Sequence, residues 1–200
     1  MKNVWFLNHY AILPSSPGGT RHYDMAKSLT EKGFRVTVFA AGFHYTLFKD
    51  LGEGKYNSEG FYIEEIDGIR WVWIKTFRYR SNNWKRIINM LDFARKLRTT
   101  GKKPVFEKPD LIVGSIVHPF TALTGIKLKH HFKVPYIFEI RDLWPQTMID
   151  MGVWSARSLA SRFFYDIEKK TVNNSDAIVA LSPETKNYIL KKYGYDKVAY

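Results

Sequence analysis

The 200 residues suffice for one well-buried domain, and 45% hydrophobic with 16% aromatic residues excludes a globally disordered chain. No apolar run reaches the roughly 18–20 residues of a membrane-spanning helix, and the N-terminal apolar stretch is too short for a signal peptide. The absence of cysteine excludes disulfides, thiolate zinc sites and cysteine nucleophiles. The net charge of +12 instead points to a phosphate-bearing partner, either a nucleic acid or an anionic membrane surface.

Short apolar runs alternate with helical patterns along the chain. Strands are predicted at 4–7, 36–40, 111–115, 136–140 and 177–181, and helices at 23–32, 119–131, 155–172 and 183–193. The strand segments are apolar on both faces, as in a parallel sheet covered by helices. The segments 61–66 and 69–74 flank Asp67-Gly68, which predicts a β-hairpin. The fold class is therefore α/β, a doubly wound (Rossmann-like) parallel sheet with a β-hairpin insertion.

Most of the excess positive charge lies between positions 75 and 108, where eleven basic residues face two acidic ones. A helix near 84–99 is predicted there, with apolar positions 84, 87, 88, 91, 94 and 97 on one side. A basic amphipathic helix is typical of a membrane interface, whereas the alternative is a helix packed on the core with a solvated basic face. The predicted membrane-surface residues are Arg78, Arg80, Trp84, Lys85, Arg86, Arg95 and Lys96.

Residues that follow the strands are the candidates for a site, because ligands of doubly wound folds bind at the carboxyl ends of the strands. After the first strand, Gly18-Gly19-Thr20 precedes a helix, where backbone amides can approach a phosphate; the alternative is a turn that requires glycine. The pattern G-x-G-x-x-G and the P-loop pattern are both absent, which argues against a dehydrogenase and a P-loop nucleotidase.

His118 follows the strand at 111–115, and Pro119 suits the first position of a helix. A lone histidine is often a capping or packing residue, but its position at the strand-end crevice favours a functional role. After the next strand, Arg141 and Asp142 lie together, either as site residues or as an ion pair that braces the loop. No spacing of histidines or carboxylates resembles a metal site.

Three segments carry a resemblance to a known family: Gly18-Gly19-Thr20-Arg21 with the following helix and strand, the run 139–145 (EIRDLWP), and Ala180-Leu181-Ser182-Pro183. The chain resembles the N-terminal domain of a glycosyltransferase family 4 enzyme, a retaining GT-B transferase. Within that family it is similar to bacterial enzymes that build O-antigen, capsule or colanic-acid-type polysaccharides, lipopolysaccharide included, on a lipid carrier.

The resemblance implies a transfer reaction and a role for each candidate residue. A sugar would move from a nucleotide sugar of the UDP or GDP type to a polyprenyl-diphosphate-linked saccharide, without a cofactor or an obligatory metal. His118 would be catalytic, Gly18, Gly19 and Thr20 would approach the donor diphosphate, and the acceptor side of the cleft would be lined by His9, Arg21, Arg141 and Asp142. The protein would be cytoplasmic and peripherally attached to the inner face of the plasma membrane.

The second Rossmann-like domain of this family carries an Arg/Lys pair and two glutamates spaced E-x7-E, and neither occurs here. We therefore expect residues 1–200 to be the N-terminal, acceptor-side domain, with little transferase activity alone. Two alternatives without catalysis are a membrane-docking module and a nucleic-acid-binding module. The latter is disfavoured because no RRM, KH or helix-turn-helix signature occurs, so nucleic acid is not an expected partner.

Overall fold

The computed structural model describes residues 1–81 and 83–200. The strands are β1 (Asn3–Leu7), β2 (Arg35–Ala41), β3 (Phe43–His44), β4 (Lys49–Asp50), β5 (Phe61–Ile66), β6 (Ile69–Ile74), β7 (Leu111–Ile116), β8 (Tyr136–Ile140), β9 (Ala177–Ala180) and β10 (Val198–Ala199). The helices are α1 (Arg21–Glu31), α2 (Lys85–Thr100), α3 (Pro119–Phe132), α4 (Gln146–Asp150), α5 (Leu159–Asn174) and α6 (Pro183–Tyr193).

An eight-stranded sheet forms the centre of the fold, with strand order β10-β9-β8-β7-β1-β2-β6-β5. Its neighbouring strands pair in parallel except β5, which pairs antiparallel with β6. The predicted doubly wound fold is thus confirmed, and the hairpin extends the main sheet because β6 pairs with β2. Asp67 and Gly68 both adopt positive φ angles in the hairpin turn, as the sequence predicted.

Helices cover both faces of this sheet, which explains why its central strands are apolar on both sides. On one face, Trp5, Phe39 and Ile112 pack with apolar residues of α2, α3 and α5. On the other face, Phe6 and Val38 pack with α1. A central strand between two helical layers must bury every side chain, and β1 is buried at all five positions.

Helix α2 differs from the prediction in the face that it buries. Its buried apolar positions are Met90, Phe93, Ala94 and Leu97, which follow the spacing of a helical stripe and pack beside α3 and β6. Trp84, Ile87 and Leu91, which were predicted to share the apolar side, are 65%, 51% and 47% exposed. The helix thus carries two apolar stripes, and only one of them docks on the core.

The order of the strands places a topological switch point beside β1. From β1, the chain first builds outward through β2 and β6, and it later builds in the opposite direction from β7 to β10. The connections on the two sides diverge at β1 and β7, so a crevice opens at the carboxyl ends of these two strands. Residues 8–10 and 117–118 lie at this crevice.

Candidate functional site

Two buried histidines meet at the switch point. His118 is the N-cap residue of α3, and its Nε2 lies 2.7 Å from Nδ1 of His9, which follows β1. The His9 ring stacks between Phe93 and Tyr10, with ring centroids 4.3 Å apart in both cases. The two histidines follow different strands, and the structure brings them into direct contact across 109 residues of sequence.

Burial keeps both histidine rings neutral. Burial, with a smaller contribution from the positive charge of Arg86, lowers the pKa of His118 to about 3. Burial, His118 and Arg86 together lower the pKa of His9 well below its usual value, against an opposing effect of the Asn89 amide. The pair is therefore suited to orienting and hydrogen-bonding a substrate, and His118 is a weak base.

The Nε2 atom of His118 has two contacts, with Nδ1 of His9 at 2.7 Å and with Thr121 Oγ1 at 3.2 Å. Because both rings are neutral, one nitrogen of the 2.7 Å contact donates a hydrogen bond and the other accepts it. Asn89 lies near the pair, and its Nδ2 donates hydrogen bonds to Thr76 Oγ1 (2.9 Å) and to the Phe77 carbonyl (2.6 Å). Nδ1 of His118 and Nε2 of His9 have no hydrogen-bond partner among the described residues.

A cavity of about 360 Å³, which we call the apolar groove, contains His118 in its wall. Trp154 and Phe164 stack in it with centroids 5.2 Å apart, and Trp144 lies 5.5 Å from Phe164. The groove is lined by Asn83, Arg86, Ile87, Met90, Val117, His118, Pro119, Phe120, Asp142, Trp144, Thr147, Met148, Trp154 and Phe164. Its wall is thus mainly aromatic and aliphatic, with few charged groups.

Arg86 and Asp142 supply the charges of the apolar groove. The Arg86 side chain lies 5.4 Å from the centroid of the Tyr10 ring, and its Nε donates to Tyr10 Oη at 3.2 Å. Burial raises the pKa of Asp142, opposed by the charges of Arg141 and Arg86. Arg86 was predicted to face a membrane, but its half-buried side chain turns inward and contributes to the site.

A second buried network lies on the α1 side of the same sheet. The Glu139 carboxylate, 1% exposed, accepts hydrogen bonds from Arg21 Nε and His22 Nε2, both at 2.7 Å. Nδ1 of His22 contacts Asn8 Nδ2 at 2.9 Å. Burial raises the pKa of Glu139, but the hydrogen bond and charge of His22 and the hydrogen bond of Arg21 lower it to about 2.

Arg21 was predicted as a site residue, whereas Asn8, His22 and Glu139 were not. Asn8 immediately follows β1, so its position after a strand was a signal that could have found it, whereas Glu139 lies within β8 and His22 within α1, where this rule gives no signal.

The glycine segment 18–20 leads into the first turn of α1. Gly18 has a φ of +141°, and a Cβ there would lie 2.5 Å from Cδ1 of Ile12, so the chain requires glycine at this position. A Cβ on Gly19 would meet no atom within 4 Å, which leaves open space beside the backbone. Thr20 Oγ1 donates to Asp24 Oδ2 at 2.7 Å. The backbone at Gly19 is therefore accessible to a ligand.

The other predicted membrane-surface residues differ in whether they form ion pairs with acidic side chains. Arg78 pairs with Asp50 and Glu53, both at 3.0 Å. Arg95 and Lys96 pair with Asp92, whereas Arg80, Trp84 and Lys85 lie on the surface. In the described part of the chain, no helix combines the length and apolarity needed to span a bilayer, and no three metal-ligating side chains cluster.

A family model described as Glycosyltransferase Family 4 matches residues 18–199. No curated protein matches the sequence. Among solved structures, sucrose-phosphate synthase from Thermosynechococcus elongatus is similar, with a TM-score of 0.68 at 13% identity over 100% of this chain and 47% of that chain.

Two further solved structures are similar to this chain in fold at low sequence identity. UGT89C1 from Arabidopsis thaliana matches with a TM-score of 0.57 at 18% identity, over 98% of this chain and 48% of its own. HepE (Alr3699) from Anabaena, in complex with UDP and glucose, matches with a TM-score of 0.56 at 15% identity, over 100% of this chain and 43% of its own. At these identities the likeness concerns the fold, and this chain spans about half the length of each of the three proteins.

Proposed function

This chain belongs to Glycosyltransferase Family 4 and adopts one half of a GT-B fold, and on that premise we propose that it is the acceptor-side domain of a polysaccharide-building transferase. In this proposal, a sugar moves from a nucleotide sugar to a lipid-linked saccharide, with retention at the anomeric carbon. The product would be an O-antigen, capsule or related cell-surface polysaccharide. The donor would be of the UDP or GDP type, since HepE and UGT89C1 are found in complexes with UDP.

The apolar groove beside His118 is the observation that carries this proposal. Burial of a hydrocarbon contributes about 0.8 kcal/mol per CH₂ group, whereas a sugar would leave its hydroxyls unpaired against walls such as Trp144 and Phe164. The guanidinium of Arg86 in the same groove suits a phosphate. A polyprenyl diphosphate has both features, a branched hydrocarbon chain and an anionic head.

The buried residues have separate roles in this reaction. Nδ1 of His118, which has no hydrogen-bond partner among the described residues, forms a hydrogen bond with a substrate hydroxyl, and the contact with His9 fixes the orientation of that ring. The Gly18-Gly19 segment, whose backbone is open at Gly19, approaches the donor diphosphate, so that amides and cations stabilise the leaving group without an obligatory metal. Glu139 holds Arg21 beside the crevice.

The exposed stripe of α2 supports peripheral attachment to the inner face of the plasma membrane. Trp84, Ile87 and Leu91 are solvent-exposed, and Arg80 and Lys85 lie near them in sequence without an acidic partner in the described chain. Apolar side chains at headgroup depth and cations over anionic lipid both favour binding.

Binding of farnesyl diphosphate to this chain, followed by tryptophan fluorescence, tests the lipid part of the proposal. Trp144 and Trp154 line the groove, so we expect a saturable change in fluorescence that inorganic diphosphate does not produce. Phe164→Ser should weaken binding about tenfold, because a contact worth about 1–2 kcal/mol is lost. The matched control is Phe163→Ser, since Phe163 is 54% exposed and does not line the groove.

Equal changes in tryptophan fluorescence with farnesyl diphosphate and with inorganic diphosphate would refute a binding site for hydrocarbon. The transfer itself is tested with the intact protein, a prenyl-diphosphate-linked saccharide and labelled UDP- or GDP-sugars. We expect His118→Ala to reduce formation of the lipid-linked product, and unchanged turnover would refute its role.

Sedimentation with vesicles tests the membrane surface. The protein should sediment with anionic vesicles and remain in solution with zwitterionic ones. Neutralising Arg80 and Lys85 to Gln removes about 1 kcal/mol per charge, which lowers the bound fraction, whereas the matched change of Lys169 and Lys170 on α5 should have a smaller effect. Equal sedimentation with both lipids would contradict an electrostatic attachment, and it is also the result expected of a module without lipid selectivity.

A further inference from the structure

We propose that a second cavity, on the other side of the His9–His118 pair, binds a neutral pyranose unit of the acceptor saccharide. This cavity of about 270 Å³, which we call the polar cavity, lies between the loop after β1, the segment after β2 and the β5–β6 hairpin. The inference rests on the proposed transferase function and assigns residues of the hairpin to its specificity.

The two cavities share one wall. His9 lines the polar cavity and His118 lines the apolar groove, with 2.7 Å between their ring nitrogens. Tyr10 also lines the polar cavity, and its hydroxyl accepts a hydrogen bond from Arg86, which lines the groove. The two cavities are therefore adjacent, and in this proposal an amphiphile places its lipid in the groove and its saccharide at the polar cavity.

The side chains of the polar cavity are suited to a sugar. The Glu64 carboxylate accepts hydrogen bonds from Trp73 Nε1 (3.0 Å) and from Lys55 Nζ (3.3 Å). A carboxylate has about four lone-pair positions, so Glu64 keeps acceptor positions for hydroxyl donors. The rings of Tyr62 and Trp73 stack 6.3 Å apart beside it, and the partly exposed Tyr62 ring supplies an aromatic surface for the C–H face of a pyranose. Lys55 and Glu64 compensate each other in charge, which favours a neutral ligand.

His44 supplies a further donor in the wall of the polar cavity. Its Nδ1 accepts hydrogen bonds from the backbone amides of Thr46 (3.3 Å) and Leu47 (3.2 Å), so the ring proton is on Nε2. The residue is 3% exposed and Nε2 has no hydrogen-bond partner among the described residues, while the nearby backbone of Pro17 opposes the lowering of the ring pKa by burial. A buried donor without an acceptor costs about 1–3 kcal/mol, which a sugar hydroxyl would recover.

The proposal is tested by titrating the ¹⁵N-labelled chain with methyl glycosides of glucose, galactose, mannose, fucose and N-acetylglucosamine. We expect at least one glycoside, at millimolar concentration, to shift the indole resonance of Trp73 and the ring resonances of His44. Glu64→Gln should weaken this binding about tenfold or more, because hydrogen bonds to a charged group contribute about 1.5–3 kcal/mol. Glu65→Gln is the matched control: the neighbouring side chain is exposed and pairs with Arg70 at 3.2 Å.

Absence of these shifts with all five glycosides would overturn the proposal, as would equal binding by Glu64→Gln and the unaltered chain. Glu64→Gln lies in a half-buried position and conserves the shape of the side chain, so the fold is expected to persist. Farnesyl diphosphate binding separates the two ideas: if it binds while all glycosides fail, the saccharide site is refuted and the lipid-acceptor function stands.

Discussion

Glu139→Gln is expected to destabilise the fold strongly at neutral pH. The Glu139 carboxylate is buried between Arg21 and His22, and these contacts hold its pKa at about 2, against 4.5 for an ordinary glutamate. At about 1.36 kcal/mol per pKa unit, this difference corresponds to about 3 kcal/mol of stability. The glutamine amide keeps the shape of the side chain, but it has no charge and only one acceptor oxygen, so it cannot accept from both Arg21 and His22 as the two carboxylate oxygens do.

The contribution of Glu139 has a defined pH dependence. Because the pKa is lower in the folded state, the stabilisation is fully present above the unfolded-state pKa of about 4.5 and is lost as the pH falls toward 2. Urea unfolding followed by circular dichroism at pH 7 and pH 3 measures the free energy of unfolding of both proteins. The difference between wild type and Glu139→Gln should be about 3 kcal/mol at pH 7 and clearly smaller at pH 3.

Two results would refute this reasoning. If Glu139→Gln lowers the free energy of unfolding by less than about 1 kcal/mol at pH 7, Glu139 does not form a strong ion pair. A loss that is the same at pH 7 and pH 3 would show that packing, not ionisation, is the source of the effect. Glu65→Gln on the exposed side of β5 is the control, and its effect should stay within about 0.5 kcal/mol.

Three further outcomes follow from the geometry. Gly18→Ala should lower the free energy of unfolding by about 1–3 kcal/mol, because the new Cβ would contact Ile12 and the residue has a positive φ. In the same urea titration, Gly19→Ala should change the free energy of unfolding by no more than about 0.5 kcal/mol. Tyr136→Phe should raise the thermal midpoint, because it removes a buried hydroxyl without a hydrogen-bond partner; an unchanged or lower midpoint would contradict this. The ¹⁵N resonances of His118 should show a neutral ring at both pH 7 and pH 5, and titration between these values would contradict the burial argument.

The architecture could be predicted because its signals are local. Apolar strands with glycine or proline boundaries, and the Asp67-Gly68 turn, follow from the chemistry of neighbouring residues. The caps of α6 illustrate this: Ser182 accepts a hydrogen bond from the Thr185 amide, and Gly194 ends the helix with a positive φ.

The buried face of α2 could not be predicted in full, because the helix has two apolar stripes of similar quality. Met90 and Phe93 dock on the core, whereas Ile87 and Leu91 remain exposed, and only the position of α3 decides between them. Because this face of α2 docks on the core, the Arg86 side chain lies in the wall of the apolar groove. A helical pattern gives the faces of a helix, but tertiary packing selects the one that is buried.

The networks of the site depend on long-range contacts that no local pattern contains. Glu139 meets Arg21 and His22 across 118 and 117 residues of sequence. The strand-end rule predicts that such residues lie at one edge of the sheet, and His118 and Asp142 both line the apolar groove there. It does not give the partner of each side chain, because that depends on the strand order and on where α1 packs on the sheet.

The position of β1 at the centre of the sheet has a consequence for how the protein is made. Val4 pairs with Val36 on one side and with Leu111 on the other, so the second partner is synthesised 107 residues after β1. At about 5–20 residues per second, one edge of this apolar strand waits about 5–20 s on the ribosome for its neighbour. Closure of so long a loop is entropically costly, and the open edge can pair with other chains in the meantime. The same strand order that creates the crevice therefore leaves one edge of β1 unpaired during synthesis.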